Sequence, residues 1–459
     1  MGLVLISHIV QANNQLAGKW SGQLKVQGME LLIVFNVTQD EQGQYQATMD
    51  SPDQGASGIP VSSVSFEHNQ ARFEVKMAQG FYQGKLTEDG QTLEGEWSQG
   101  QAFPLTLKKN QTLKQLKRPQ EPTAPYPYLE EEVRYQNPSA GIELAGTLTL
   151  PKGKGTFPAV ILISGSGPQD RNQAIMGHKP FWVLADYLTR HGIAVLRYDD
   201  RGVAQSGGNF SQATSLDFAS DVVAGIEYLK SREDINAKKI GLIGHSEGGL
   251  IAPIVAAQHT DVAYSVLLAG PGITGHEISM KQVSMILRAN KVSEKAIKAA
   301  MSINKTMIGL LDDDHLSEQL IQKTYQEQWN SLEKDVQDEL DTIGAGEFNQ
   351  QQVQQLLSPW YRYFSQHDPY PWLLQVKSPV LAINGDKDVQ VIAEDNLPAI
   401  EKALKEGGNR DYQIKTFSGL NHLFQNANTG LINEYSKIEE TIAPEVLEFV
   451  TEWVLKQAK

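Results

Sequence analysis

The feature that most constrains the fold is an alternation. Five short apolar runs, FPAVILIS, GIAVLRYDD, KIGLIG, AYSVLLAG and SPVLAING, are spaced between residues 157 and 385. Runs without a polar face read as strands of a parallel sheet covered on both sides. Helical patterns lie between them. HKPFWVLADYLTRHG places Pro180 in a first turn, Phe181, Leu184 and Leu188 on one face, and Gly192 as a stop. SLDFASDVVAGIEYLK puts Phe218, Val222, Ile226 and Leu229 on one stripe. EEVRYQN and IELAGTLTLP precede the first run as a strand pair. Strands alternating with helices, joined by right-handed crossovers, give a doubly wound, mostly parallel α/β sheet.

The alternation fails once. Residues 274–372 read as helical and polar without a buried strand, too long for a loop in a compact domain, so they form an inserted helical cap. The cap ends in SPWYRYFSQHDPYPW, whose aromatic side chains serve either packing onto the sheet or a substrate pocket. The sheet and its connections then occupy 131–273 and 373–459.

The region before the sheet has a different period. In residues 16–108, runs such as GKWSGQLKV, ELLIVFNV, ARFEVKM, YQGKLTE and FPLTLKK recur about every ten residues, separated by turn-forming DEQGQ, HNQ and EDGQ. About eight short, evenly spaced strands make a small antiparallel β-barrel domain. Such a barrel is either filled by its own side chains or holds a small ligand. Residues 109–130, with the proline-rich RPQEPTAPYPY, read as a stiff linker. The first 15 residues, beginning MGLVLISHIVQA, read as the remnant of an export signal or as an unstructured start. The first alternative favours a periplasmic or secreted location over a cytoplasmic one.

Composition removes several function classes. A net charge of −14 argues against a nucleic-acid partner. No apolar run reaches the ~20 residues of a bilayer span. With no cysteine there are no thiolate metal sites or disulfides, and the histidines lack the HExxH spacing of a zinc site. No metal or other cofactor is expected.

KIGLIGHSEGGLIAPIVAAQ carries the chemistry. Its G-x-S-x-G places Ser246 between Gly244 and Gly248. Alone, that pattern arises by chance about once in seven chains of this length. Here it falls between a buried strand and a helix, where a nucleophile elbow requires it. Pro253 lies inside the following helix and removes one of its hydrogen bonds. A serine nucleophile needs a base, and the base an orienting acid. SPVLAINGDKDVQV puts Asp386 and Asp388 on the loop after a strand, and GLNHLFQN puts His422 after the next. Ligands gather at the carboxyl ends of such strands. FPAVILISGSGPQDRN ends a strand in a glycine-rich bend whose N–H groups can converge as an oxyanion hole, with donors at Ser166 and Glu247. Gly167, His178, Trp360 and Tyr363 are candidate pocket residues.

SGSGPQDR, RYDDRGVAQSGG, GHSEGG, NGDKDVQV and LNHLFQ, in that order, resemble a bacterial α/β-hydrolase of the serine carboxylesterase type. The branch is that related to prolyl-oligopeptidase-like hydrolases and acyl-CoA thioesterases. GKW likewise resembles the start of a lipocalin-like domain. The first resemblance implies an α/β-hydrolase fold and a catalytic trio of Ser246, Asp388 and His422. The family's G-x-x-D-x-x-V falls on Gly385, Asp388 and Val391, favouring Asp388 over Asp386. Asp199, Asp200 and Arg201 of RYDDRG are expected to shape a loop rather than react. The implied reaction is hydrolysis of a small-molecule ester, short-chain in its acyl part, through an acyl-enzyme. A peptidase or amidase, an acyl-thioesterase, and a non-catalytic binding protein on the same fold are the alternatives. Homo-oligomerisation stays open.

Overall fold

A computed structural model describes residues 15–26, 29–40, 42–52, 56–110, 117–313, 315–344, 346 and 348–458. The expectation for the first 15 residues lies outside these, apart from Gln15. The chain divides into two units, residues 1–115 and 116–459.

The first unit is an antiparallel sheet of β1 (Gly18–Val26), β2 (Met29–Gln39), β3 (Tyr45–Ser51), β4 (Ala56–Pro60), β5 (Ser63–Glu67), β6 (Gln70–Val75), β7 (Gly80–Leu86), β8 (Thr92–Gln99) and β9 (Gln101–Lys109). Each strand from β1 to β4 and from β5 to β9 pairs with the next, and β1 also pairs with β9. Only Val61 and Ser62 separate β4, paired to β3, from β5, paired to β6. Val61 N–H still bonds the Ala47 carbonyl at 3.1 Å, and Ser62 N–H bonds that of Glu74 at 2.6 Å. One bent strand therefore bridges the two ends of the ladder, and the sheet curls on itself. Trp20, Phe35, Phe73 and Tyr82 are fully buried inside. The Phe35 and Phe73 rings lie 4.7 Å apart, and the Tyr82 hydroxyl donates to the Leu93 carbonyl. Aromatic side chains fill this interior, and the two with a polar group satisfy it, Trp20 Nε1 donating to the Leu16 carbonyl.

The second unit holds β10 (Leu129–Asn137), β11 (Ile142–Leu150), β12 (Phe157–Ile163), β13 (Ala194–Tyr198), β14 (Ile235–His245), β15 (Val262–Leu268), β16 (Val380–Gly385) and β17 (Tyr412–Phe417). Their order is β10-β11-β13-β12-β14-β15-β16-β17. The first two pairings are antiparallel and the rest parallel. Helices α1 (Pro180–Arg190), α2 (Ser215–Lys230) and α3 (Glu247–Gln258) follow β12, β13 and β14. The cap comprises α4 (Gly275–Ala289), α5 (Glu294–Gly309), α6 (Glu318–Asn330), α7 (Lys334–Asp341), α8 (Gln350–Leu357), α9 (Pro359–Gln366) and α10 (Tyr370–Leu373), with no strand among its described residues. Last come α11 (Ala393–Glu406), α12 (Ile432–Tyr435) and α13 (Pro444–Gln457).

Two apolar layers sandwich the sheet. Phe181, Leu184 and Leu188 of α1 join Val446, Val450 and Trp453 of α13 on one face. Phe218 and Val222 of α2, Leu250 of α3 and Leu397 of α11 pack on the other. The cap has a core of its own, including Ile303, Met307, Ile321, Trp329 and Leu340. The proline-rich segment is strapped to this unit: Arg118 donates to the carbonyls of Gly177 at 2.9 Å and Ile438 at 2.6 Å, and Thr441 N–H bonds Gln120. Among the described residues, no helix is long and apolar enough to cross a membrane.

Buried charge fixes the loops at the sheet's carboxyl edge. Arg201 Nε meets Asp221 Oδ2 at 2.7 Å and Nη2 meets Oδ1 at 2.9 Å, with both side chains buried. Asn137 also donates to that carboxylate. Breaking one side of a buried pair leaves the other charge uncompensated. Arg201→Met is therefore expected to lower the unfolding free energy by about 3–5 kcal/mol in urea titration. A loss under about 1 kcal/mol would show that Asn137 satisfies Asp221 unaided.

Candidate functional site

The candidate site grows from one turn. Ser246 caps α3 directly after β14, with φ 53° and ψ −118°. For a non-glycine residue that geometry costs about 1–3 kcal/mol, and persists only where the surroundings impose it. They do so by close packing. A Cβ on Gly244 would sit 1.9 Å from the Gly248 carbonyl oxygen, and one on Gly248 would sit 2.1 Å from that of Ile163. Ser246 N–H bonds the Leu268 carbonyl at 2.8 Å, tying the turn to β15. Its neighbours along the chain are buried, whereas Ser246 is half-exposed.

Asp388 and His422 come together. His422 Nδ1 lies 2.7 Å from Asp388 Oδ2, both side chains buried. Asp388 Oδ1 accepts the N–H groups of Gln390 and Val391 at 2.8 and 2.9 Å, which aims the other oxygen at the ring. Asp386 points elsewhere, accepting Ser418 Oγ and Gly419 N–H. The His422 loop is folded around Asn421, whose side chain bonds the backbone of Leu423 and Gln425. The ring of His245, the residue before Ser246, lies 4.8 Å from that of His422, centroid to centroid. Ser246 Oγ makes no hydrogen bond to His422 among the described contacts, and such bonds often close only once substrate is bound. A carboxylate-oriented imidazole whose loop is bonded to the residue before a serine on a strained turn is the kind of group that can make such a hydroxyl a nucleophile.

The glycine-rich bend lies against the same turn. A Cβ on Gly165 would meet the Ser246 Cβ at 3.2 Å, and Ser166 follows it, exposed. Glu247 N–H sits in the first turn of α3, where no intrahelical acceptor exists. The RYDDRG residues hold the bend in place. Asp200 accepts Ser164 Oγ at 2.6 Å and Gln169 N–H at 2.9 Å, and its burial pushes the carboxyl up to about 8. Asp199 takes both Nε and Nη2 of Arg171. With the Arg201–Asp221 pair, Asp199, Asp200 and Arg201 are all held by bonded partners.

The pocket candidates separate. His178 is buried, with Nδ1 on Thr441 Oγ1 and Nε2 beside the Tyr435 carbonyl, both at 2.9 Å. Both ring nitrogens are engaged, and the ring joins the segments of Thr441 and Tyr435. Gly167 takes a left-handed φ of 92° within the bend. Tyr363 is half-buried, its ring 5.1 Å from that of His367.

Trp360 does more than pack. Its Nε1 donates to Glu247 Oε1 at 2.8 Å, and Ser215 Oγ donates to the same oxygen at 2.6 Å. The residue after Ser246 thus joins the cap's α9 to the start of α2. No spacing in the sequence foreshadows this contact, which crosses more than a hundred residues. The aromatic segment also packs on the sheet, where Trp360, Phe364 and Tyr370 border the core. Burial pushes the Glu247 carboxyl up to about 7, outweighing the lowering by its two donors.

The chain matches the serine aminopeptidase S33 family over residues 180–353 and the dienelactone hydrolase family over residues 359–457. It is 27% identical over 320 residues to esterase EstD of Thermotoga maritima, an alignment covering 68% of this chain and 66% of that protein. Among solved structures, it resembles an esterase of Pyrococcus furiosus at 16% identity, covering 76% of this chain and all of that one, with a TM-score of 0.44. It also resembles Est1E of Butyrivibrio proteoclasticus with bound ferulic acid, at 20% identity over 71% and 98% of the two chains, TM-score 0.41.

The Glu247 carboxyl makes stability depend on pH. Below its ordinary value of 4.5 it is protonated whether folded or unfolded. Between there and about 7 only the unfolded chain ionises, so the wild type loses stability as pH rises through that window. The loss amounts to about 3 kcal/mol. Glu247→Gln keeps an acceptor and never ionises, so its melting temperature should gain on the wild type between pH 5 and pH 8. A pH-independent difference would show that the carboxyl does not titrate there. From strand order, the turn after β14 and the two family matches, the chain from Leu116 onward has the α/β-hydrolase fold of the esterase and lipase kind.

Proposed function

We propose that this protein is a serine carboxylesterase in which Ser246 attacks the ester carbonyl, His422 is the base and Asp388 holds its ring. The observation that carries the proposal is the 2.7 Å Asp388–His422 hydrogen bond beside the turn that strains Ser246 outward. His422 takes the hydroxyl proton as the oxygen attacks, then protonates the leaving alcohol. Water repeats the cycle on the acyl-enzyme. With Nδ1–H donated to Asp388, Nε2 is left bare to receive that proton. The N–H groups of Glu247 and Ser166 are the proposed donors to the tetrahedral oxyanion, each worth about 3 kcal/mol.

The same trio serves peptidases and thioesterases, so the leaving group must be argued from the surroundings. An aminopeptidase would hold the substrate's free amine on an acidic side chain near the pocket. Of the two acids placed for that, Glu247 has Oε1 occupied by Ser215 and Trp360, and Asp170 Oδ1 accepts the N–H groups of Asn172 and Ala174 within its own bend. Their engagement supports an ester substrate, for which no amine site is needed. A short acyl chain is part of the same reading. The amino-terminal unit fits a lipocalin-like barrel filled by its own aromatic side chains rather than a ligand carrier.

Ser246→Ala should lower kcat on p-nitrophenyl acetate by about 10⁶. A fluorophosphonate should label the wild type and not the variant. Rates on p-nitrophenyl esters of increasing chain length, set against aminoacyl anilides and acyl-CoA, should be greatest for the short esters. Near-full hydrolysis by the alanine variant would remove Ser246 from the mechanism, and absence of fluorophosphonate labelling would leave a non-catalytic binding protein.

A further inference from the structure

We propose that His245, the residue before the nucleophile, is a positioning residue that clasps the His422 loop through its ring. The inference rests on the assignment of His422 as the base. His245 Nε2 lies 2.9 Å from the backbone carbonyl oxygen of His422, and its Nδ1 lies 2.7 Å from Gln173 Nε2. A carbonyl can only accept, so Nε2 must carry the hydrogen. The ring is buried and its basicity is pushed down to about 3, by burial first and by neighbouring His422 second, so it is neutral and Nδ1 is bare. Gln173 must then present its amide N–H₂ to Nδ1. Every assignment in the chain Gln173–His245–His422 follows from the one next to it.

The placement matters as much as the bonds. Gln173 belongs to the segment after the glycine-rich bend, and its amide nitrogen lies 3.2 Å from where a Gly165 Cβ would sit. One buried ring therefore connects three parts of the site: the bend, the nucleophile turn and the loop of the base. Asp388 holds the His422 side chain at Nδ1, while His245 holds its backbone. Two anchors on different atoms leave the ring little freedom to swing away from Ser246. Gln173 gives up its carbonyl oxygen to this arrangement, since that atom is buried without a partner. Unsatisfied buried atoms are rare in native folds and cluster where a geometry is being enforced. Gln173 itself adopts a left-handed φ of 52°, a conformation uncommon for a side-chain-bearing residue.

The test separates positioning from mere packing. His245→Gln places an amide N–H₂ where Nε2 was and keeps the bond to the His422 carbonyl. His245→Leu keeps bulk without the donor. Expected for p-nitrophenyl acetate is a fall in kcat of at least ten-fold in His245→Leu with KM within two-fold, and recovery to within three-fold of wild type in His245→Gln. Equal loss in both variants, or a change confined to KM, would overturn the inference. Gln173→Ala, expected to show a smaller fall in kcat, covers the case in which His245→Leu does not fold; wild-type kcat there would count against the clasp. A readout independent of hydrolysis is ¹⁵N NMR of histidine-labelled protein. Among the signals of neutral rings protonated at Nε2 that do not titrate between pH 5 and pH 8, where His178 also has Nε2 against a carbonyl, one should disappear in His245→Gln. Absence of esterase activity in the wild type with that signal present would sink the functional reading and leave the clasp standing.

Discussion

The structure of the candidate site depends on how closely three backbones approach at the end of β14. The strand, the first turn of α3 and the end of β12 meet where Gly244 and Gly248 leave no room for a side chain. Because the chain cannot relax sideways, Ser246 is forced into its high-energy conformation and left as the half-exposed member of an otherwise buried turn. The same approach sets the glycine-rich bend against the serine, since the bend continues directly from β12. The proposed nucleophile and the proposed oxyanion donors are thus placed by one packing constraint and not by two independent ones. The serine's strain is offset by the rest of the sheet, whose parallel ladders on both sides of β14 hold its two ends fixed.

Around that constraint, buried charge and amide groups do the aiming. Asp199, Asp200 and Arg201 are consecutive, yet they bind different partners: Arg171, the Ser164–Gln169 bend, and Asp221 on α2. Two of the partners lie on the bend after β12 and the third on α2, so one tripeptide locks the bend and a helix to the end of β13. Asp388 works similarly, with one oxygen spread over two backbone N–H groups and the other left for His422. Since buried polar groups that lack partners are costly, such fully bonded carboxylates resist rotation. Rigidity here comes from satisfaction of hydrogen bonds rather than from apolar packing.

What the sequence disclosed follows from what each signal encodes. The sheet and its helices were legible because both faces are covered, which writes apolar runs and helical stripes directly into the residues. The placement of Ser246, Asp388 and His422, the proposed nucleophile, acid and base, was legible because each sits just beyond a strand. The β4 segment was not, since its ASGIP carries no apolar alternation. The bonding of His178 was not legible, because a histidine beside a glycine-rich bend looks the same in sequence whether its nitrogens are free or engaged. The Glu247–Trp360 and Gln173–His245 contacts had no local signature, because each depends on which distant segments the fold brings together.

The cap illustrates why that last class of contact matters. It is held to the sheet by apolar packing from α9 and α10, but apolar contacts are non-directional and leave room to slide. The Trp360–Glu247 hydrogen bond is directional, and it ends on the residue adjoining the proposed nucleophile, whose N–H is also a proposed oxyanion donor. A shift of the cap would therefore be felt first at the Glu247 side chain and through it at the start of α3. Ser215 bonds the same oxygen, so the carboxyl cannot follow the indole without loosening α2 as well. The cap's position and the geometry of the reacting turn are in this way parts of one hydrogen-bonded unit. Changes in α9 that leave every proposed catalytic residue untouched should still alter how the site receives its substrate.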